Sequence, residues 1–99
     1  MPFEPRKTEE GLQILSIARD ADGVITVYVQ NVGDNAQVLD SVYVDDVLNA
    51  PVTPLPITLN TAQIAEIVLS GNYSRLTKVT VKVVTSEGTF MELTKTFAD

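Results

Sequence analysis

The sequence contains neither cysteine nor histidine. Without cysteine there is no disulfide framework, which excludes the disulfide-rich secreted class and leaves either redox compartment open. The chain also lacks the usual general base, the activated thiol and the commonest metal ligands. It has no glycine-rich phosphate loop, and no lysine and carboxylate spacing typical of a hydrolase. The composition therefore predicts a protein that is not an enzyme and that holds no cofactor.

Basic side chains are missing from the whole stretch 20–74, and the net charge of the chain is −6. The carboxylates of this stretch are Asp20, Asp22, Asp34, Asp40, Asp45, Asp46 and Glu66. Because phosphate contacts need a basic patch, this balance argues against nucleic-acid binding. Two interpretations remain open. The charges form ordinary solvated faces, or they make a dipolar module that meets copies of itself or a partner of complementary charge.

Long apolar runs are also missing, since none approaches the ~18 residues that cross a bilayer. Residues 1–3 lack the basic start and apolar centre of a signal peptide. Residues 1–10, MPFEPRKTEE, hold two prolines and five charged side chains. We expect them to form a flexible linker or a frayed N-terminus, and residues 11–99 to form one domain.

Valine, threonine and isoleucine together supply 31 of the 99 residues, and this excess of β-branched side chains favours strands. The stretch 23–46, GVITVYVQNVGDNAQVLDSVYVDD, alternates apolar and polar residues in two runs. The alternation predicts two half-buried neighbouring strands joined by a turn over 31–36. It places Leu39 and Tyr43 on the face opposite Val42 and Val44.

The remaining strands are predicted over 11–19, 76–86 and 89–97. Residues 61–69 fit a helical stripe or a strand, and their length and β-branching favour the strand. In 11–19 both faces carry apolar residues, which predicts a bulge or two-sided burial. Three prolines make 47–60 a loop or an irregular edge strand, with Leu55, Ile57 and Leu59 over one end of the core.

Short strands at turn spacings of about 8–12 residues predict an all-β fold, an Ig-like antiparallel β-sandwich of about seven strands. The predicted core consists of Leu15, Ile17, Ile25, Val27, Val29, Val42, Val44, Ile67, Leu69, Val79, Val81, Val83, Met91 and Leu93.

Three features are candidate sites. Asp20 and Asp22, followed by glycine, begin like a calcium loop, although the further ligands of such a loop do not follow in the sequence. Asp45 and Asp46 could join them in space, and the alternative is that both segments are polar turns. Tyr28 and Tyr43 are predicted on the outward rows of neighbouring strands, either as a cross-strand pair or as an interaction patch. Asn72 begins the acceptor triplet Asn-Tyr-Ser, a candidate N-glycosylation site if the protein lies outside the cell.

The runs ITVYVQNVG (25–33), DSVYV (40–44) and TVKVVTSEGT (80–89) resemble the β-sandwich domain of archaeal type IV pilin-like surface proteins. These include adhesion pilins, archaellins and archaellum stator proteins. The resemblance covers about residues 11–97. In that family a hydrophobic N-terminal helix precedes the sandwich, and this chain departs from the pattern by lacking it.

The resemblance implies a non-enzymatic structural role in adhesion, filament building or anchoring to the cell envelope. The implied location is extracellular, at the cell surface, with the full-length protein anchored by a helix absent from this chain. The implied partners are proteins: other copies, filament subunits or envelope proteins. This fragment alone is expected to be a monomer or a weak dimer. The alternative is an Ig-like binding module of a larger secreted or surface protein that binds protein or carbohydrate.

Overall fold

The computed structural model describes residues 11–97, and within them it contains eight strands and no helix. The strands are β1 (Leu12–Arg19), β2 (Ile25–Asn31), β3 (Gln37–Val44), β4 (Val47–Asn49), β5 (Ile57–Leu59), β6 (Ile64–Val68), β7 (Lys78–Thr85) and β8 (Phe90–Thr96). The linker predicted over residues 1–10 lies outside the described residues, so it stays a prediction.

The strands form two antiparallel sheets that face one core. Sheet A has the order β1-β2-β6, and sheet B has the order β4-β3-β7-β8, with β5 paired to the start of β3. The predicted all-β, Ig-like sandwich is confirmed. The buried apolar residues are Leu12, Ile14, Ile17, Ile25, Val27, Val29, Leu39, Val42, Val44, Leu59, Ala65, Ile67, Leu69, Val79, Val81 and Val83.

The predicted pairing of β2 with β3 is wrong, because the two strands belong to different sheets. β2 pairs with β1 and β6, whereas β3 pairs with β4, β5 and β7. Residues 32–36 therefore cross from one sheet to the other instead of closing a hairpin. Alternation along a strand shows which side is buried but does not show which strand lies beside it.

The bulge predicted in β1 is present. The register of β1 against β2 shifts between Ile14 and Ser16, which leaves Leu15 without a partner. As a result Ile14 and Ile17 both face the core, and the prediction of Leu15 as a core residue is wrong, since it is 43% exposed.

A second bulge, in β3, was not predicted. The register against β7 shifts between Leu39 and Ser41, so Asp40 is the extra residue. The shift turns Leu39 to the inside, where it is fully buried, and corrects its predicted outward position.

The predicted core row of β8 is only partly covered. Met91 and Leu93 pair with Val83 and Val81, so they belong to the inward-facing row. However, Leu93 is 38% exposed and Met91 is half-buried. β8 is the last strand of sheet B and has one neighbour, so its inner face lacks the cover that the central strands have.

Two other predictions are confirmed. Residues 64–68 form strand β6, with Ala65, Ile67 and the following Leu69 buried. Leu59 is buried at one end of the core, and Leu55 and Ile57 pack against it. Nothing in residues 11–97 forms a helix that is long and apolar enough to span a bilayer.

Candidate interaction surfaces

The acidic turn between β1 and β2 uses its carboxylate for its own backbone. Asp20 Oδ1 accepts hydrogen bonds from the backbone N–H groups of Asp22, at 2.8 Å, and Val24, at 3.0 Å. Among residues 11–97, no three acidic side chains converge in the way that a metal site would need. In this structure the turn therefore has the geometry of a structural Asx-turn.

Asn31, at the end of β2, fixes the crossover between the sheets. Its side chain is fully buried. The Nδ2 group donates to the carbonyls of Asn35 and Leu59, both at 2.8 Å, and Oδ1 accepts from the Gly33 N–H at 2.9 Å. The sequence indicated turn chemistry here. The structure shows that this one amide also ties the end of β2 to β5, because it bonds the Leu59 carbonyl of β5 as well as backbone groups of the crossover.

Asn72 is exposed in the loop between β6 and β7, with Ser74 exposed beside it. Asn72 Oδ1 accepts the Ser74 N–H at 2.9 Å. The loop packs against Gly23, whose carbonyl accepts the Tyr73 N–H at 2.8 Å. Gly23 has φ 81°, and a Cβ there would lie 2.8 Å from the Ser74 nitrogen, so only glycine fits. The acceptor triplet is thus held in a fixed, accessible turn.

Arg19 and Asn49 hold this loop on the domain. Arg19 Nη1 donates to the carbonyls of Tyr73 and Leu76, both at 2.8 Å, and its guanidinium stacks 4.0 Å from the centre of the Phe97 ring. Asn49 Nδ2 donates to the Tyr73 hydroxyl at 2.9 Å. Burial raises the pKa of Tyr73 above 10.0, the Asn49 hydrogen bond lowers it, and the charge of Asp45 raises it. The phenol therefore acts as a structural hydrogen-bonding group.

Tyr28 and Tyr43 do not lie together, so the predicted cross-strand pair is wrong. Tyr28 lies on the outer face of sheet A, opposite Ser16 and Glu66, and its hydroxyl donates to Glu66 Oε2 at 3.4 Å. Its direct partners on the two neighbouring strands are both polar.

Tyr43 lies on the outer face of sheet B, opposite Leu48 on β4 and Lys82 on β7. The Lys82 Nζ is 5.4 Å from the centre of the Tyr43 ring and 5.3 Å from that of Phe90. The sequence analysis did not select Lys82 or Phe90. The pair Val83-Val84 did indicate an apolar side chain on the outer face of this strand, since one of two successive valines on a strand must point outward.

A scan of the sequence against protein-family models and a search among curated proteins both find no match. Solved structures do share the fold. The archaellum periplasmic stator protein FlaG from Sulfolobus acidocaldarius is 18% identical with a TM-score of 0.62, over 85% of this chain and 97% of that chain. A chain of the FlaF and FlaG stator complex from the same organism is 16% identical with a TM-score of 0.62, over 96% of this chain and 99% of that chain.

At these identities the likeness establishes the fold. It agrees with one part of the resemblance seen in the sequence, the archaellum stator proteins. It does not bear on the pilins or the archaellins.

Proposed function

We propose that this chain is a non-enzymatic structural module of an archaeal archaellum, of the stator type. The observation that carries the proposal is the shared fold, which extends over nearly the full length of the FlaG chain. In this role the domain lies outside the cell membrane, at the cell surface, and works by binding protein partners. The neighbouring complex contains two different stator proteins, which supports a protein as the partner.

A gene deletion in the source organism tests this proposal. Loss of the protein should abolish or strongly reduce swimming, and the intact gene supplied in trans should restore it. Electron microscopy of the same cells separates a stator role from a filament role, because a stator mutant can keep filaments that do not drive movement. Normal swimming in the deletion strain would contradict the proposal.

Asn72 is proposed as a site of N-glycosylation in the mature protein. Its exposure and its fixed turn support this assignment. Mass spectrometry of the protein purified from its own cells should find the peptide that contains Asn72 carrying a glycan, and Asn72→Gln should lack it. Finding only the unmodified peptide in the wild-type protein would show that Asn72 is not glycosylated.

The second candidate function is that of an Ig-like binding module in a larger secreted or surface protein. The exposed side chains of Leu48 and Phe90 on the outer face of sheet B favour it, because exposed apolar groups that lie together mark binding sites. The codons upstream of residue 1 distinguish the two functions. An apolar stretch of about 20 residues fits the stator type, and a further β-domain fits the alternative.

A further inference from the structure

The two outer faces of the sandwich differ in chemistry. On sheet A, the central row of the outer face consists of Ser16, Tyr28 and Glu66, and its hydroxyl and carboxylate groups lie against one another. On sheet B, large apolar groups lie together on the outer face of β4, β3, β7 and β8. Sheet A also carries exposed apolar side chains, Ile64 at 54% and Leu15 at 43%, but they lie on its two edge strands, β6 and β1, with β2 between them. Sheet B differs because its large apolar groups lie together, whereas a solvated sheet face normally carries polar side chains.

We define the sheet B patch as Leu48, Tyr43, Lys82, Val84 and Phe90. The pairings of Leu48 with Tyr43, of Tyr43 with Lys82, and of Val84 with Phe90 place these side chains on one face. Leu48 is 62% exposed and Phe90 is 40% exposed. The patch continues into a shallow depression beside Leu48, which is lined by Asp40, Ser41, Asn49, Ala50, Pro51 and Leu55.

Lys82 places one positive charge in the middle of this patch. Its ammonium group lies between the rings of Tyr43 and Phe90, at 5.4 and 5.3 Å from their centres. Aromatic faces attract a cation, so the two rings hold Lys82 over the patch. Glu92, directly opposite Lys82 on β8, borders the patch at the edge of the sheet.

We propose that the sheet B patch is the docking surface for another protein that presents apolar side chains around a carboxylate. The apolar side chains would cover Leu48, Tyr43 and Phe90, and the carboxylate would reach Lys82. Tyrosine and other aromatic residues are enriched at the centres of protein interfaces, and charge complementarity fixes the register of such contacts.

A second copy of this chain fits the patch poorly. A two-fold axis through the centre of the patch would bring two Lys82 ammonium groups together inside an apolar contact, and like charges in that position cost binding energy. Displacing the copy so that Lys82 meets Glu92 would uncover part of the patch. The charge at the centre therefore selects a different, acidic surface.

This inference deepens the proposed function, since it takes a protein as the partner and names the surface that binds it. It can fail on its own. The swimming assay asks whether the protein serves the archaellum, and the binding experiment below asks only which face binds which chemistry.

The experiment uses two short blocked peptides and the ¹⁵N-labelled 99-residue chain. One peptide alternates leucine with glutamate, and the other has lysine in place of glutamate. Titration followed by amide chemical shifts should show the glutamate peptide perturbing Tyr43, Lys82, Val84 and Phe90. We expect it to bind roughly fivefold more tightly than the lysine peptide, a preference of the size that one exposed ion pair provides.

Lys82→Glu should reverse this preference, and the milder Lys82→Gln should abolish it while keeping the amide spectrum of the folded protein. Lys78→Glu is the matched control. Lys78 lies on the same face of β7, outside the patch and opposite Thr96, so its replacement should leave the preference in place.

Each of the following results would overturn the proposal. The titration could show that neither peptide binds, that both bind equally, or that the perturbed amides lie on sheet A. The variants could show that Lys78→Glu changes the preference as strongly as Lys82→Glu does. Shifts of the patch amides that depend on protein concentration without any peptide would also overturn it, in favour of a second copy.

Discussion

At the residue scale, the core depends on which valines of β7 point inward. Val81 is fully buried between the sheets, and Val84, three positions on, lies half-buried on the outer face. Val81→Ala should lower the free energy of unfolding by about 1–3 kcal/mol, because it leaves a cavity that the sheets fill incompletely. Val84→Ala should cost clearly less. Chemical denaturation measures both variants, and equal losses would show that the assigned inner face is wrong.

The buried Asn31 side chain connects three segments of the chain: β2, the crossover and β5. Asn31→Ala would leave the buried Leu59 carbonyl without its donor, and we expect a loss of about 1–3 kcal/mol. Asn60→Ala is the matched control, since Asn60 is exposed, and it should change the stability by less than about 0.5 kcal/mol. Urea unfolding of the two variants side by side gives the comparison. A loss at Asn60 as large as at Asn31 would refute the role given to the Asn31 amide.

At the element scale, the turn between β3 and β4 carries two consecutive residues with positive φ. Asp45 has φ 50° and Asp46 has φ 70°, the backbone pattern of a type I′ hairpin turn. Asp45 Oδ1 also accepts the Thr80 N–H at 3.0 Å, whereas no such bond holds the Asp46 side chain among the described contacts. Glycine at position 46 should therefore relieve the steric strain of positive φ without the loss of a side-chain hydrogen bond.

Asp46→Gly should raise the stability by about 0.5–1 kcal/mol, because glycine adopts positive φ without steric cost. Asp22→Gly, at an exposed turn position where φ is not positive, should not stabilise the protein. Thermal unfolding monitored by circular dichroism compares the two variants with the wild type. A lower melting temperature for Asp46→Gly would contradict the turn geometry.

The elements themselves were largely predictable from sequence, because alternation and turn residues are local signals. The strand at 64–68 and the bulge in β1 both follow from such signals. The pairing of β2 could not be predicted in this way, since strand pairing is decided by contacts between residues far apart in the chain. The bulge at Asp40 was not predicted for a related reason, because it is defined only by the register of β3 against β7.

The candidate sites were likewise predictable where they depended on local pattern and not where they depended on strand pairing. Tyr43 was selected from its outward position, and its real neighbours, Leu48 and Lys82, come from strands on either side. Pairing Tyr43 with Tyr28 assumed that the strands of the central stretch were adjacent. The sheet B patch could therefore not be assembled before the sheet order was known.

At the scale of the whole molecule, the described surface predicts a domain that does not assemble by itself. The sheet B patch holds Lys82 at its centre, so two copies that met through it would bring like charges together. The 99-residue chain should sediment as a monomer, or at most as a weak dimer, at micromolar concentration. Stable filaments or a tight oligomer from this chain alone would contradict the prediction and would indicate a module that assembles without a membrane helix.

The central claim is that this domain is a structural module that binds another envelope protein through the outer face of sheet B. A photo-reactive phenylalanine analogue placed at position 43 or at position 28, in cells of the source organism, tests it most directly. The two tyrosines lie on the outer faces of different sheets, so each serves as the control for the other. The account predicts a cross-link from position 43 to another archaellum protein, and none from position 28. A cross-link from position 28 alone, or from neither position in cells that swim normally, would contradict it.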